Sequence, residues 1–207
     1  MDWDNILPII IGFLAFIGLP LALRSRKKGG PKKIEELYQH LQGIGVKASI
    51  LGNVASQEKV GGKRSRGDKS VGTIKLKDKN IDSINVISVA NRYGVNYFLD
   101  FLVRSISLTG RENKEKTKMV RKKSSSLGSK AIGIEWKGDD SLAQKLNFDY
   151  RLNDRLAQAD LKVIKNSISI HPEPKQGHVR IRTTYFLPDP DLFEAIDTIA
   201  KHIKSGW

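Results

Sequence analysis

IDSINVISVANRYGVNYFLDFLVRSIS, residues 81–107, is the stretch on which the fold turns. Ile81 to Ala90 and Val95 to Ser107 are rich in β-branched and aromatic residues, which favour a pleated, half-buried backbone. Between them Asn91-Arg92-Tyr93-Gly94 supplies turn residues, so the two runs read as one long hairpin and as the heart of a sheet.

Working outward toward the N-terminus, Val71 to Leu76 reads as a further strand, Gly52 to Ser70 as a loop and Val46 to Leu51 as another strand. Ile34, Leu37, Tyr38, Leu41 and Ile44 recur at helical spacing, with Pro31 at a permitted start and Gly43 and Gly45 at the end. That spacing predicts a helix over 32–43. Toward the C-terminus, Lys118 to Lys122 and Ala131 to Trp136 read as strands separated by the serine-rich tip 124–129. Asp139, Asp140 and Ser141 are caps for a helix carrying Leu142 and Leu146, and Leu152 and Leu156 mark a second helix. Ile168 and Ile170, then Val179, Ile181, Thr183 and Tyr185 alternating with Arg180 and Arg182, form a second hairpin around the turn 172–177. Leu192, Phe193, Ile196, Ile199, Ala200 and Ile203 make one apolar stripe on a closing helix opened by Asp189 or Asp191. No alternating rhythm of strand and helix is present, so the class expected is α+β, mainly antiparallel sheet with packed helices.

Ahead of all this lies an apolar run, Ile6, Leu7, Pro8, Ile9, Ile10, Ile11, Gly12, Phe13, Leu14, Ala15, Phe16, Ile17, Gly18, Leu19, Pro20, Leu21, Ala22 and Leu23, without a polar side chain. As a helix it would extend roughly 27 Å, just short of a hydrocarbon core of about 30 Å. A lipid-exposed backbone must close its own hydrogen bonds, so the run is expected to be a single transmembrane helix, with Trp3 as an interfacial anchor. A cleaved signal peptide would want positive charge before the apolar core, whereas Asp2 and Asp4 stand there. Arg24, Arg26, Lys27, Lys28, Lys32 and Lys33 follow it, which places the N-terminus outside and the rest of the chain in the cytoplasm, at the cell membrane. The division expected is residues 1–30 as anchor, basic juxtamembrane stretch and Gly29-Gly30-Pro31 hinge, and 31–207 as a cytoplasmic domain with a sub-boundary near 130–138.

The 207 residues carry a formal charge of +14, unevenly placed. Residues 1–130 hold 25 Lys and Arg against 11 Asp and Glu, while residues 131–207 hold 11 against 11. The excess gathers in 24–33, 59–79 and 111–130, each with a net +6. Topology accounts for the first. The other two make Lys63, Arg64, Arg66, Lys69, Lys118, Arg121, Lys122 and Lys123 the candidate polyanion-binding residues.

The stretch Ile134-Glu135-Trp136-Lys137-Gly138-Asp139-Asp140, continued by Leu142, Leu146, Phe148, Leu152 and Leu156, a hairpin and an amphipathic helix, resembles the tail of uncharacterised prokaryotic membrane-anchored proteins. The resemblance covers roughly the last 75 residues and implies a membrane-tethered α+β protein. It brings no catalytic residue with it.

Each candidate site must meet the spacing its chemistry requires. Gly62 to Ser70 has the glycines and lysines of a phosphate-cradling loop, but Asp68 stands between Gly67 and Lys69, and a strand rather than a helix is expected to follow. Arg66-Gly67-Asp68 has the form of an adhesion tripeptide on the wrong side of the membrane. His171 and His178 flank the second hairpin's turn with Glu173 nearby, short of a full metal set, and no cofactor is called for. Asp139-Asp140 and Asp189-Pro190-Asp191 read as helix caps. Without cysteine, thiol nucleophiles and disulfides are excluded, and no serine lies in a Gly-x-Ser-x-Gly setting. The reading is a noncatalytic, single-pass, membrane-tethered interaction module whose basic loops contact the lipid bilayer or an acidic protein partner. Its rivals are a membrane-associated nucleic-acid binder, weakened by the lack of Phe, Tyr and Trp in both basic stretches, and an enzyme without a recognisable motif.

Overall fold

The structure is a computed structural model, and it describes residues 29–51, 68–105, 115–123, 131–159 and 167–206. Its element order is α1 (Gly29–Gly43), β1 (Ala48–Leu51), β2 (Asp68–Leu76), β3 (Ser83–Asn91), β4 (Gly94–Arg104), β5 (Thr117–Lys123), β6 (Ala131–Lys137), α2 (Asp140–Phe148), α3 (Tyr150–Gln158), β7 (Ser169–Glu173), β8 (His178–Thr184) and α4 (Pro190–Lys204). All eight strands join one antiparallel sheet in the order β1-β2-β3-β4-β8-β7-β5-β6. The α+β expectation therefore holds. Both hairpins share that sheet, because β8 is laid along β4.

No helix among the described residues is long and apolar enough to cross a membrane. The transmembrane segment expected at Ile6–Leu23, with Trp3, and the charges Arg24, Arg26, Lys27 and Lys28, lie outside the described residues, as do Lys63, Arg64 and Arg66.

Strand alternation decides which side chains meet the helices. Ile74, Ile84, Leu99, Val103, Phe101, Ile181, Ile170, Met119 and Trp136 share one face and one core with the stripes of all four helices. On α1, Ile34, Leu37 and Leu41 are buried in that core, and on α4 its apolar stripe from Leu192 to Ile203. α1 begins at Gly29, ahead of the residue 32 expected, so the glycines placed in a hinge form its first turn instead. The reason is packing: a Cβ on Gly30 would stand 2.7 Å from Val71 Cγ1, and one on Gly72 2.6 Å from Ile34 Cδ1. Two small residues let the helix lie close on β2.

The expected caps are in place. Asp139 accepts the Leu142 N–H at 3.1 Å and Asp189 accepts the Leu192 N–H at 2.7 Å. Asp149, not foreseen as a cap, accepts the Leu152 N–H at 2.9 Å and starts α3 directly after α2. Trp136 is fixed by the same corner, its indole N–H donating to Asn153 Oδ1 at 3.0 Å.

Candidate functional site

Two surfaces have chemistry to offer, and both follow from strand register. Across the outer face, away from the helices, successive register partners Thr73, Asn85, Asp100, Arg182, Ser169, Lys118 and Lys137 form a polar row that takes one residue from each of seven strands.

The middle of the row is buried. Asp100 is 1% exposed, Asn85 1% and the neighbouring Arg180 7%. Arg182 donates to both carboxylate oxygens of Asp100, at 2.7 and 2.8 Å, and reaches Asp68 at 3.3 and 3.4 Å. Its guanidinium also stands 5.5 Å from the centre of the Phe98 ring. Arg180 lies 3.6 Å from Asp100 and 3.0 Å from Glu173. Burial alone would lower the Arg182 guanidinium, but hydrogen bonding and charge from Asp100, joined by Asp68, outweigh it and hold it raised. Burial also raises the Glu173 carboxyl, against the pull of Arg180. These charges are paired in place, and a buried pair of this kind adds less stability than the loss of one partner costs.

The histidines sit on the edge of this network. Burial, reinforced by Arg180, pushes His171 down to about 3, so its imidazole is neutral at pH 7. It bonds Ser169 Oγ at 3.0 Å. His178 is lowered by burial and bonds the Gln176 carbonyl at 3.3 Å, leaving its buried Nε2 without a hydrogen-bond partner among the described residues. Glu173 is taken by Arg180, and no group of three potential metal ligands occurs among the described residues. Asp68, which broke the phosphate-loop spacing, is the buried first residue of β2, so a strand does follow that loop.

The β5–β6 end of the row is exposed and cationic. Lys118 and Lys137 face each other directly, a like-charge pair that costs stability, and Lys122 projects from the same face. Glu135 lies 3.4 Å from Lys137 and 4.0 Å from Lys122, and Lys118 has no carboxylate partner among the described residues. Alternation splits the set read from sequence. Arg121 pairs with Ile134 on the helix side, with Met119 and Trp136, away from Lys118 and Lys122. For Lys123 only the backbone is described, following a bulge after Lys122. Lys137 was missed because nothing in sequence order links it to Lys118, nineteen positions away. Only the hairpin register does.

The second surface is the end of the sheet where α1 starts. A Cβ on Gly29 would lie 3.0 Å from the Tyr97 hydroxyl. Tyr97 stacks edge-on against Tyr185, 6.5 Å away, and Tyr185 donates to the Lys33 carbonyl at 2.9 Å. Lys33 itself lies 4.5 Å over that ring and 2.9 Å from Glu36, so this charge is engaged within the domain, whereas Lys32 is exposed. Lys69, exposed and paired in register with Ser88, belongs to the same end, and the β3–β4 turn with Arg92 and Tyr93 lies beyond it.

Elsewhere an open depression of about 780 Å³ runs past Phe148, Asp149, Tyr150 and His202. His202 bonds Asp149 at 2.8 Å, and both aromatic rings are exposed.

Fold and surface together define the class: an α+β protein on one antiparallel sheet, helices on one face, a charged row on the other. No family model, curated protein or solved structure matches the chain.

Proposed function

We propose that the protein is a single-pass, membrane-tethered cytoplasmic interaction module. It is held at the cell membrane by Ile6–Leu23, with its N-terminus outside, and offers a lysine stripe to an acidic partner. The observation that carries the stripe is Lys118 set against Lys137 across one hairpin, with Lys122 beside them and Glu135 alone among them. Sequences that specify a fold usually avoid like charges directly opposite, and where local rules are broken a functional site is expected.

The stripe and the anchor divide the work. Strands rotate by roughly 20–25° from one to the next, so β5, four strands from β3, heads some 80–100° away from it. The α1 end, where Lys32 and Lys69 are exposed, is the end set against the bilayer, and the β5–β6 stripe lies on strands that run across that direction. Each of those end lysines near an anionic leaflet adds about 1 kcal/mol.

The test is binding of a fluorescent polyglutamate peptide, followed by anisotropy at low and physiological salt. Wild type is expected to bind in a salt-sensitive way, and Lys118→Gln with Lys137→Gln to bind more weakly. Equal affinity for the two proteins would dispose of the stripe. The same titration with duplex DNA separates the nucleic-acid reading, which requires a preference for DNA over polyglutamate. Among the described residues nothing aromatic stands on the stripe to stack a base, which favours the acidic protein partner. The enzyme reading is disfavoured by the outer-face carboxylates Asp68, Asp100 and Glu173, each of which faces an arginine.

A further inference from the structure

We propose that the β3–β4 turn, Arg92 and Tyr93, is a second contact with the bilayer, seated among the headgroups on the side from which α1 emerges. The inference rests on the membrane-anchor reading and adds how the domain stands on its membrane.

The residues suit that place. Tyr93 is 82% exposed, the most exposed of the large apolar or aromatic side chains among the described residues. Arg92 lies 4.6 Å over its ring, so a cation and an amphipathic ring are presented as one unit. Tyrosine is favoured at membrane interfaces because its ring is apolar and its hydroxyl stays wet, and a long basic side chain keeps its charge at the headgroups. The turn is fixed rather than loose: Asn91 Oδ1 accepts the Tyr93 N–H at 2.9 Å, and Gly94 takes φ +144°, a conformation that favours glycine. No carboxylate occurs between Asp82 and Asp100, so Arg92 is the only charge on the whole hairpin between them. Nothing there repels an anionic surface.

Reach agrees with residue type. The apolar run ends at Leu23, and six residue steps lead to Gly29, at most about 20 Å of chain. Tyr97, which touches Gly29, lies four residues beyond Tyr93 along β4, or about 13 Å. The turn thus projects from the level of the α1 start by less than the tether allows. The opposite end of the sheet, where Lys204 meets Asp82 at 3.3 Å, is eight strand residues farther away, about 27 Å from the turn.

A chain without cysteine makes the experiment direct. Full-length Ala90→Cys, which leaves Arg92 and Tyr93 intact, and full-length Ser205→Cys at the far end are each labelled with one fluorophore and placed in anionic nanodiscs. Part of the lipid carries a headgroup nitroxide. Strong quenching at position 90, none at 205, and relief of the quenching at 90 by Tyr93→Ser are expected. If protein that resists alkaline extraction shows no more quenching at 90 than at 205, the turn does not meet the bilayer while the anchor stands. If Tyr93→Ser leaves the quenching unchanged, the role given to the ring is wrong. Alkaline release of the whole protein would instead overturn the anchor reading, and this inference with it.

Discussion

Arg182 is the residue whose removal the outer-face network should feel most. Its side chain is 20% exposed and that of Asp100 only 2%, and its Nε and one terminal nitrogen hold both Asp100 oxygens. Arg182→Met keeps most of the apolar volume over Phe98 and deletes the cation. Asp100 would then be left with Arg180 at 3.6 Å, already shared with Glu173, and Asp68 would lose its contact to Arg182 as well. Stranding a buried carboxylate in this way costs about 3–5 kcal/mol, a large part of the 5–15 kcal/mol that holds an ordinary domain together. For a domain of this size the loss corresponds to a fall in Tm of about 6–20 °C. Arg182→Met with Asp100→Leu removes both charges and should recover most of that loss, since an apolar replacement of a whole buried pair is often neutral. Urea unfolding of wild type, both single variants and the double variant at pH 7 gives the cycle. A single variant within about 0.5 kcal/mol of wild type, or a double variant no more stable than Arg182→Met, would refute the buried-network account, since surface changes stay within that margin.

Three further outcomes follow from the same geometry. His171 is held neutral down to about pH 3 whereas the unfolded chain protonates it near 6.5, so its contribution is complete above pH 6.5 and is lost as pH falls toward 3. The slope is up to about 1.4 kcal/mol per pH unit, and His171→Leu should flatten it between pH 6.5 and 5 in denaturant titrations. Asp149 caps α3 and bonds His202; burial raises its carboxyl, but His202 and the Leu152 N–H outweigh that and leave it lowered. Its stabilisation is present above the ordinary aspartate range and is lost as pH falls through the lowered value. Asp149→Ala should cost about 1–2 kcal/mol at pH 7 and much less in acid, read by thermal unfolding at both pH values. Lys118→Gln should raise stability by a few tenths of a kcal/mol while weakening polyglutamate binding; a loss of stability would show that the cross-strand repulsion is not felt.

The elements themselves were legible because each is written locally. The run 81–107 gave its turn through Asn91 and Gly94, α4 its cap through Asp189, and α1 its face through Ile34, Leu37 and Leu41. Positions shifted by only a few residues where packing intervened, as at Gly30 against Val71. The candidate site was less legible. Among basic residues close in sequence, Arg121 lies on the opposite face from Lys118 and Lys122, because side chains of a strand alternate. Lys137, which does share the face of Lys118, is brought there by the hairpin register.

What the sequence determined by itself is therefore the class of fold, the strands and helices, the caps at Asp139 and Asp189, the asymmetry of charge and the apolar run that would anchor the chain. These depend on spacing and composition within a few residues. The tertiary structure decided that β8 lies on β4, which sets Arg182 against Asp100, and that β5 lies on β7, which brings the Lys118–Lys137 pair into line with them. The polar row takes one residue per strand from distant parts of the chain. No local pattern encodes it, because register between strands far apart in sequence is fixed only when the faces they bury are matched against one core.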